Sequence, residues 1–206
     1  LFEVVLVDNQ STDKTVEIAR RFNNKFHLRI VTEIKRGRGA ARAKGFAESQ
    51  GEIIFSTDAD TIVPSNWLES LSQKMNNSRI GAISGPCNFR DLPVASQFIL
   101  NRLQPVVMFL YRFGHGYFWL SGFNFAIRKD VYIKSGGFNS QLQAFEDIDL
   151  SRRVSRIVPI HYTSIRVSAS GRRLQKRFVK GLFDYVTAYF DYFMRRKDQI
   201  EIQNIR

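Results

Sequence analysis

The chain has 206 residues, 44% of them hydrophobic, and 31 Lys and Arg against 19 Asp and Glu give it a formal net charge of +12. That length supports one full-sized globular domain, and the charge calls for an anionic partner: nucleic acid, a membrane surface or a phosphorylated small molecule. One cysteine, Cys87, excludes an intrachain disulfide, three histidines (His27, His115, His161) form no clustered zinc pattern, and Arg102, Arg112 and Asn124 interrupt residues 94 to 127, the longest apolar candidate for a membrane span.

"FEVVLVD" (residues 2 to 8) is a β-branched run that predicts a strand ending at Asp8. After the turn "NQST", Val16, Ala19 and Phe22 at helical spacing predict a helix over residues 13 to 22. The order then repeats. "HLRIVTE" leads through "KRGRG" into a small-residue helix from Ala40 to Ser49, and "EIIFST" leads through an acidic loop into a helix after Pro64 with Trp67, Leu68 and Leu71 on one face. Strands alternating with helices imply right-handed crossovers and a mostly parallel α/β sheet covered on both faces. The second half continues with a strand in "IGAISG", an aromatic helix over residues 94 to 113, and a strand, turn and short helix in "SGFNFAIRKDVYIKSGGF". A helix then starts at "FEDIDLSRRV", and "VPIHYTSIRV" alternates like an exposed or edge strand. The expected organisation is a catalytic domain over residues 1–171 and a basic amphipathic helical tail over residues 172–206.

Ligands of parallel sheets gather at the carboxyl ends of the strands, and three polar groups fall there. Asp58 and Asp60 in "STDADT" suit a hard, oxygen-seeking cation, Mg²⁺ or Mn²⁺, shared with substrate phosphates; the plainer reading is a cap on the following helix. Lys35, Arg36 and Arg38 among Gly37 and Gly39 let backbone and cations approach a phosphate or a base together, although the same residues would serve as a solvated basic turn. Glu146 and Asp147, behind a Gly-containing segment, suit a general base that must reach an incoming hydroxyl. Asp149 reads as a partner of the helix dipole.

Taken together, "VVLVDNQSTDKT", "GRGAARAKGF", "IIFSTDADTIVPSNWLESL", "GFNFAIRKDVYIKSGGF" and "EDIDLSRRV" come in the order and at the spacing of the family 2 glycosyltransferases, and the chain resembles that family over nearly its whole length. The resemblance implies a GT-A fold, a Rossmann-like and mostly parallel sheet flanked by helices. It implies an inverting transferase that takes a nucleotide-sugar donor and a saccharide or lipid-linked acceptor. By resemblance Asp8 reads the nucleotide base, Asp58 the ribose, and Asp60 holds a Mn²⁺ or Mg²⁺ ion on the diphosphate, while Asp147 is the catalytic base. Arg36 and Arg38 fall on the nucleotide-sugar side, and Gly122, Asn124 and Glu146 on the acceptor side. The family also begins with a further strand and helix, which this chain, opening at Leu1 without an initiating Met, lacks. Ala43 stands where relatives commonly have Asn. Relatives with a metal-binding His near the end of the core have it where this chain reads "RVSASGRR"; Arg172 and Arg173 there either neutralise the diphosphate or begin a helix with solvated cations.

A cytoplasmic location is expected. The aromatic segment at 94–113 and the tail, whose aromatic stripe is flanked by Lys176, Arg177, Arg195, Arg196 and Lys197, add contact with the cytoplasmic face of a membrane; a tail closing its own core has the same pattern. Nucleic acid is not expected as a partner, since the cations are dispersed and the acids sit at the strand ends. The competing functions are a basic nucleic-acid module and an inactive relative kept for protein interaction.

Overall fold

In the computed structural model, which describes residues 1–172, the periodicities resolve into an α/β fold. Residues 173–206, and with them Arg173 and nearly all of the expected tail helix, lie outside the described residues. In chain order the elements are β1 (Glu3–Asp8), α1 (Thr15–Arg20), β2 (His27–Thr32), α2 (Arg38–Glu48), β3 (Ile53–Ser56), α3 (Trp67–Met75), β4 (Ala82–Ser84), β5 (Cys87–Arg90), α4 (Val94–His115), β6 (Phe125–Arg128), α5 (Lys129–Lys134), α6 (Glu146–Val154), β7 (Ile160–Tyr162) and β8 (Val167–Ser170).

β1 pairs with β2, β4 with β7, and β5 with β8, all in parallel. The exception is β6, which runs antiparallel between β3 and β4 in the central sheet of order β3-β6-β4-β7. The reason lies in what precedes β6. α4 and the loop after it carry the chain past the sheet, and Gly122 to Asn124 turn it back so that "FAIR" re-enters from the opposite end, with Ile54 opposite Ile127 and Ile83 opposite Ala126. The segment "VPIHYTSIRV", expected as one strand, is two. β7 is the edge of the central sheet, and β8 pairs with β5, a strand that the sequence pattern did not reveal.

Alternation along β6 feeds two cores. Phe125 and Ile127 point to one face with Phe46, Leu120, Phe138 and Leu150, and Ala126 points to the other with Trp67, Leu71, Met75 and Ile83. Burial on both faces explains why the central strands read as nearly unbroken apolar runs. Phe46 is the keystone of the first core: its ring lies 4.7 Å from that of Tyr132, 5.0 Å from that of Phe138 and 5.8 Å from that of Phe125. That packing anchors α2 against β6 and so fixes the polar residues one turn earlier on the same helix. Among the described residues no helix is long and apolar enough to cross a membrane.

Candidate active site

Polar residues at the end of β1 secure the neighbouring loops. At the end of β1, the Asn9 amide donates to the carbonyls of Glu33 and Lys35, both at 2.8 Å, and its oxygen accepts from the Gly37 amide at 2.9 Å. Asp8 accepts from the Ser11 amide at 3.0 Å. Gln10, in the left-handed region at φ 60°, donates to Ile34 and accepts from Arg36 Nε at 2.8 Å, so Arg36 is held at the surface beside the β1 loop. The segment before α6 lies across the basic loop. Lys35 donates to Gln141, Gln143 donates to the Arg36 carbonyl, and the Gly39 amide donates to Leu142 O. Gly39 is required here, because a Cβ would sit 2.5 Å from that same carbonyl.

Arg42 joins the acidic loop to α6. Its guanidinium donates to Asp58 Oδ1 at 2.6 Å and to Glu146 Oε1 at 2.9 Å, and Arg38 Nε stands 3.8 Å from the same Glu146 oxygen. The group lies over the backbone of Gly122, where a Cβ would come within 1.9 Å of Arg42 Nη1. Burial works against the Arg42 charge, and the carboxylates of Asp58, Glu146 and Asp147 outweigh it and raise its pKa. The sequence reading passed over Arg42. Its signal was periodicity: Gly39, Arg42 and Phe46 follow one face of α2, and a cation on a buried stripe needs a buried anion.

Glu146 is that anion. It is 1% exposed, its Oε2 has no hydrogen-bond partner within the protein, and burial first, then Asp147, push its pKa above the ordinary carboxylate value against the pull of Arg42 and Arg38. Folded protein therefore holds this proton at pH values where the unfolded chain has released it. The associated stability is full below the ordinary value of 4.5 and is lost as pH rises through the raised one. Glu146→Gln should remove this loss. Denaturant titrations from pH 4 to 8 should show wild type declining relative to the variant as pH rises, by about 1.4 kcal/mol for each pK unit of elevation; parallel curves would refute it.

Asp147 is half-buried in the first turn of α6. The preceding Phe145 is buried in the left-handed conformation at φ 60°, a strain of about 1–3 kcal/mol for a non-Gly residue, and it sets the direction in which the two acids leave the chain. Ser151 donates to the Asp147 carbonyl and accepts from the Leu120 amide at 2.7 Å, the Ser121 amide donates to Ser84, and the Gly122 amide points at Asp147 Oδ2 at 3.4 Å. The 120–122 loop, β4 and α6 thus fix one another, and Asp147 stands beside the Arg42 cluster. Asp149 faces away, 2.6 Å from Arg153.

Asn124 requires a correction: expected on the acceptor side, it is fully buried. Its oxygen accepts from Trp67 Nε1 at 2.9 Å and its amide donates to the Pro86 and Ile165 carbonyls, so every polar group is committed to bracing the core. Glu146, expected beside the acceptor, is likewise sealed beneath Arg42, and Gly122 meets Arg42 and Asp147. His161 is exposed on the edge strand β7, beside Lys74 and Asn77.

Asp60 has the environment that a one-carboxylate cation site needs. Its side chain is 42% exposed, its carbonyl is fixed by Arg90 at 2.8 Å, and among the described residues its carboxylate makes one ion pair, a long one of 3.4 Å to the exposed Arg172. Asp58, by contrast, is turned to Arg42. The described residues contain no cluster of three or more metal-ligating side chains, so an ion here would take the rest of its shell from water and phosphate oxygens, as Mg²⁺ and Mn²⁺ do.

The model of glycosyl transferase family 2 matches residues 1–136. The chain belongs to that family. Over 165 residues this family 2 chain is 28% identical to the probable glycosyltransferase YdaM of Bacillus subtilis, covering 74% of the chain and 39% of that protein. Over 81 residues it is 38% identical to the cholesterol galactosyltransferase of Borreliella burgdorferi, covering 38% of the chain and 23% of that protein. Its fold matches the mannosyltransferase PcManGT of Pyrobaculum calidifontis, solved with GDP-Man and Mn²⁺, at a TM-score of 0.64 and 21% identity over 91% of this chain and 52% of that one. Residues 1–349 of Staphylococcus aureus TarS, solved with UDP-GlcNAc, give the same TM-score and identity over 83% and 50%. The fold is therefore GT-A, and the family 2 chain spans about half of those solved chains and two fifths or less of those two curated relatives.

Proposed function

We propose that this chain is an inverting glycosyltransferase that moves a sugar from a nucleoside-diphosphate donor to a hydroxyl of a saccharide or lipid-linked acceptor. The observation that carries the reading is the Arg42 cluster: one partly buried guanidinium ties Asp58 of the acidic loop to Glu146, and so holds Asp147, the next residue, beside the same cluster. A hydroxyl reaching Asp147 would give up its proton to the carboxylate as its oxygen bonds to the anomeric carbon. The bond from that carbon to the diphosphate oxygen breaks, and the nucleoside diphosphate leaves with the electron pair. Asp8 and Arg38 would take the nucleotide, with Arg36 at the rim. Asp60 would hold a divalent ion, whose chemistry is to neutralise charge on the departing diphosphate. Arg172 stands against Asp60 and would follow the same phosphate. Residues 1–171 would form the catalytic unit, and the basic tail would add a peripheral contact with the cytoplasmic face of a membrane.

The test is donor-product binding. UDP or GDP at about 100 times its dissociation constant should stabilise the full-length protein by about 2.7 kcal/mol in the presence of Mn²⁺, and much less in EDTA, since the exposed Asp60 carboxylate repels a bare diphosphate. Equal thermal shifts under both conditions would count against the metal and transfer its role to the arginines. No shift with any nucleotide would overturn the reading.

A further inference from the structure

Asp91 stands in the left-handed region at φ 63°, where β5 ends and the chain turns towards α4. Glycine takes that conformation without steric cost, whereas aspartate takes it only with some, so what the residue adds there lies in its carboxylate. That group links two arginines that reach Asp60 by different routes. Asp91 Oδ2 accepts from Arg90 Nη1 at 3.1 Å, and Arg90 Nη2 donates to the Asp60 carbonyl at 2.8 Å. The same Oδ2 accepts from the Ser170 hydroxyl at 2.9 Å. Ser170 Oγ in turn accepts from Arg172 Nε at 3.2 Å, and Arg172 Nη2 lies 3.4 Å from Asp60 Oδ2. The contacts close a ring that runs from the backbone of Asp60 to its own carboxylate.

The ring rests on fixed backbone. Arg90 and Ser170 are register partners in the β5–β8 pair, and the Gly171 amide donates to the Arg90 carbonyl at 2.8 Å. β8 also exchanges hydrogen bonds with the exit of the acidic loop, between Ser168 and Ile62, both at 2.8 Å. What the strands leave open is the direction of two long side chains, Arg90 at 35% and Arg172 at 72% exposure. Such side chains have many rotamers in water, and the Asp91 carboxylate with the Ser170 hydroxyl selects among them.

We infer that Asp91 is a positioning residue of the cation and diphosphate site. This rests on the transferase reading above and deepens it. Through Arg90, Asp91 fixes the backbone from which Asp60 would reach a divalent ion. Through Ser170 it keeps Arg172 beside Asp60, from where the guanidinium can turn to diphosphate oxygens. Exposed ion pairs such as Arg90–Asp91 contribute little to folding, so the consequence of the ring is order at the site and not stability of the chain.

The experiment uses the full-length protein, with the Mn²⁺ complex of UDP or GDP as the probe. Asp91→Gly removes the carboxylate and relaxes the backbone, Asp91→Asn keeps an acceptor for the Ser170 hydroxyl, and Ser170→Ala cuts the Arg172 route alone. Calorimetric titration gives the dissociation constant of the probe, and thermal unfolding without ligand gives stability. Asp91→Gly should unfold at the wild-type temperature or above it, yet bind the probe about fivefold more weakly, the factor that a contact of exposed-ion-pair strength allows. Asp91→Asn should recover part of that loss, and Ser170→Ala should show part of it. Two outcomes overturn the inference alone while wild type binds the probe. One is Asp91→Gly binding as tightly as wild type. The other is Asp91→Gly unfolding earlier than wild type or failing to fold, which would make Asp91 a brace of the β5–α4 junction. A wild type that binds no nucleotide would fail the transferase reading itself, and this role of Asp91 with it.

Discussion

Asp147→Asn is expected to keep donor binding and lose at least about a hundredfold in turnover, the lower end of what a positioned general base contributes. The substitution preserves shape and leaves one oxygen that can keep the 2.9 Å bond from the Ile148 amide, losing only the longer 3.4 Å approach of the Gly122 amide, and the Ser151 contact is to the Asp147 backbone, so the first turn of α6 should hold. What disappears is the carboxylate proposed to accept the proton. The nucleotide thermal shift with Mn²⁺ should match wild type, and single-turnover transfer from a nucleotide sugar to a matched acceptor should collapse. Normal turnover would pass the role of base to another group. The neighbouring Glu146 is poorly suited, since its ionisation is already opposed by burial and it lies sealed beneath Arg42. A loss of nucleotide binding alongside turnover would instead mark Asp147 as a structural residue.

Much of the architecture was legible because burial on both sheet faces writes itself as apolar runs, and helical spacing survives in short windows. β1, β2, β3, β4 and the helices α2 to α6 fall close to where periodicity places them. β5 was not legible, because "CNFR" is too short and too polar to carry a period, and it becomes a strand by pairing with β8. The direction of β6 was hidden for a related reason: an antiparallel central strand and a parallel one bury the same residues. At the site, the motifs name loops that the fold brings together, without telling which side chains face the opening. Asn124 stands in a motif and braces Trp67, whereas Arg42 was overlooked in a run of small residues and turns out to join three segments. Hydrogen-bond partners distant in sequence decide such roles, and a single chain read in order does not display them.

Arg42→Met offers the most direct test of that junction. Methionine has similar length and packing but no charge and no donors, so Asp58 and Glu146 lose their shared partner. The two losses are unequal. Asp58, with 43% of its side chain exposed, regains water, and an exposed pair is worth at most about 1 kcal/mol. Glu146 is 1% exposed and would retain only Arg38 at 3.8 Å. Breaking a buried pair in this way costs about 3–5 kcal/mol, which in a chain of this size lowers Tm by roughly 6–20 °C. Because Glu146 can relieve the loss by taking up a proton, the destabilisation should be greater at pH 8 than at pH 5. Adding Glu146→Gln should restore a large part of the stability, giving a coupling energy above about 1 kcal/mol. Arg42→Lys should fall between wild type and Arg42→Met, since an ammonium lacks the planar fork that spans two carboxylates. A loss below about 1 kcal/mol, or a double variant whose effect equals the sum of the single ones, would show that the guanidinium is a neighbour of these acids and not what holds them together.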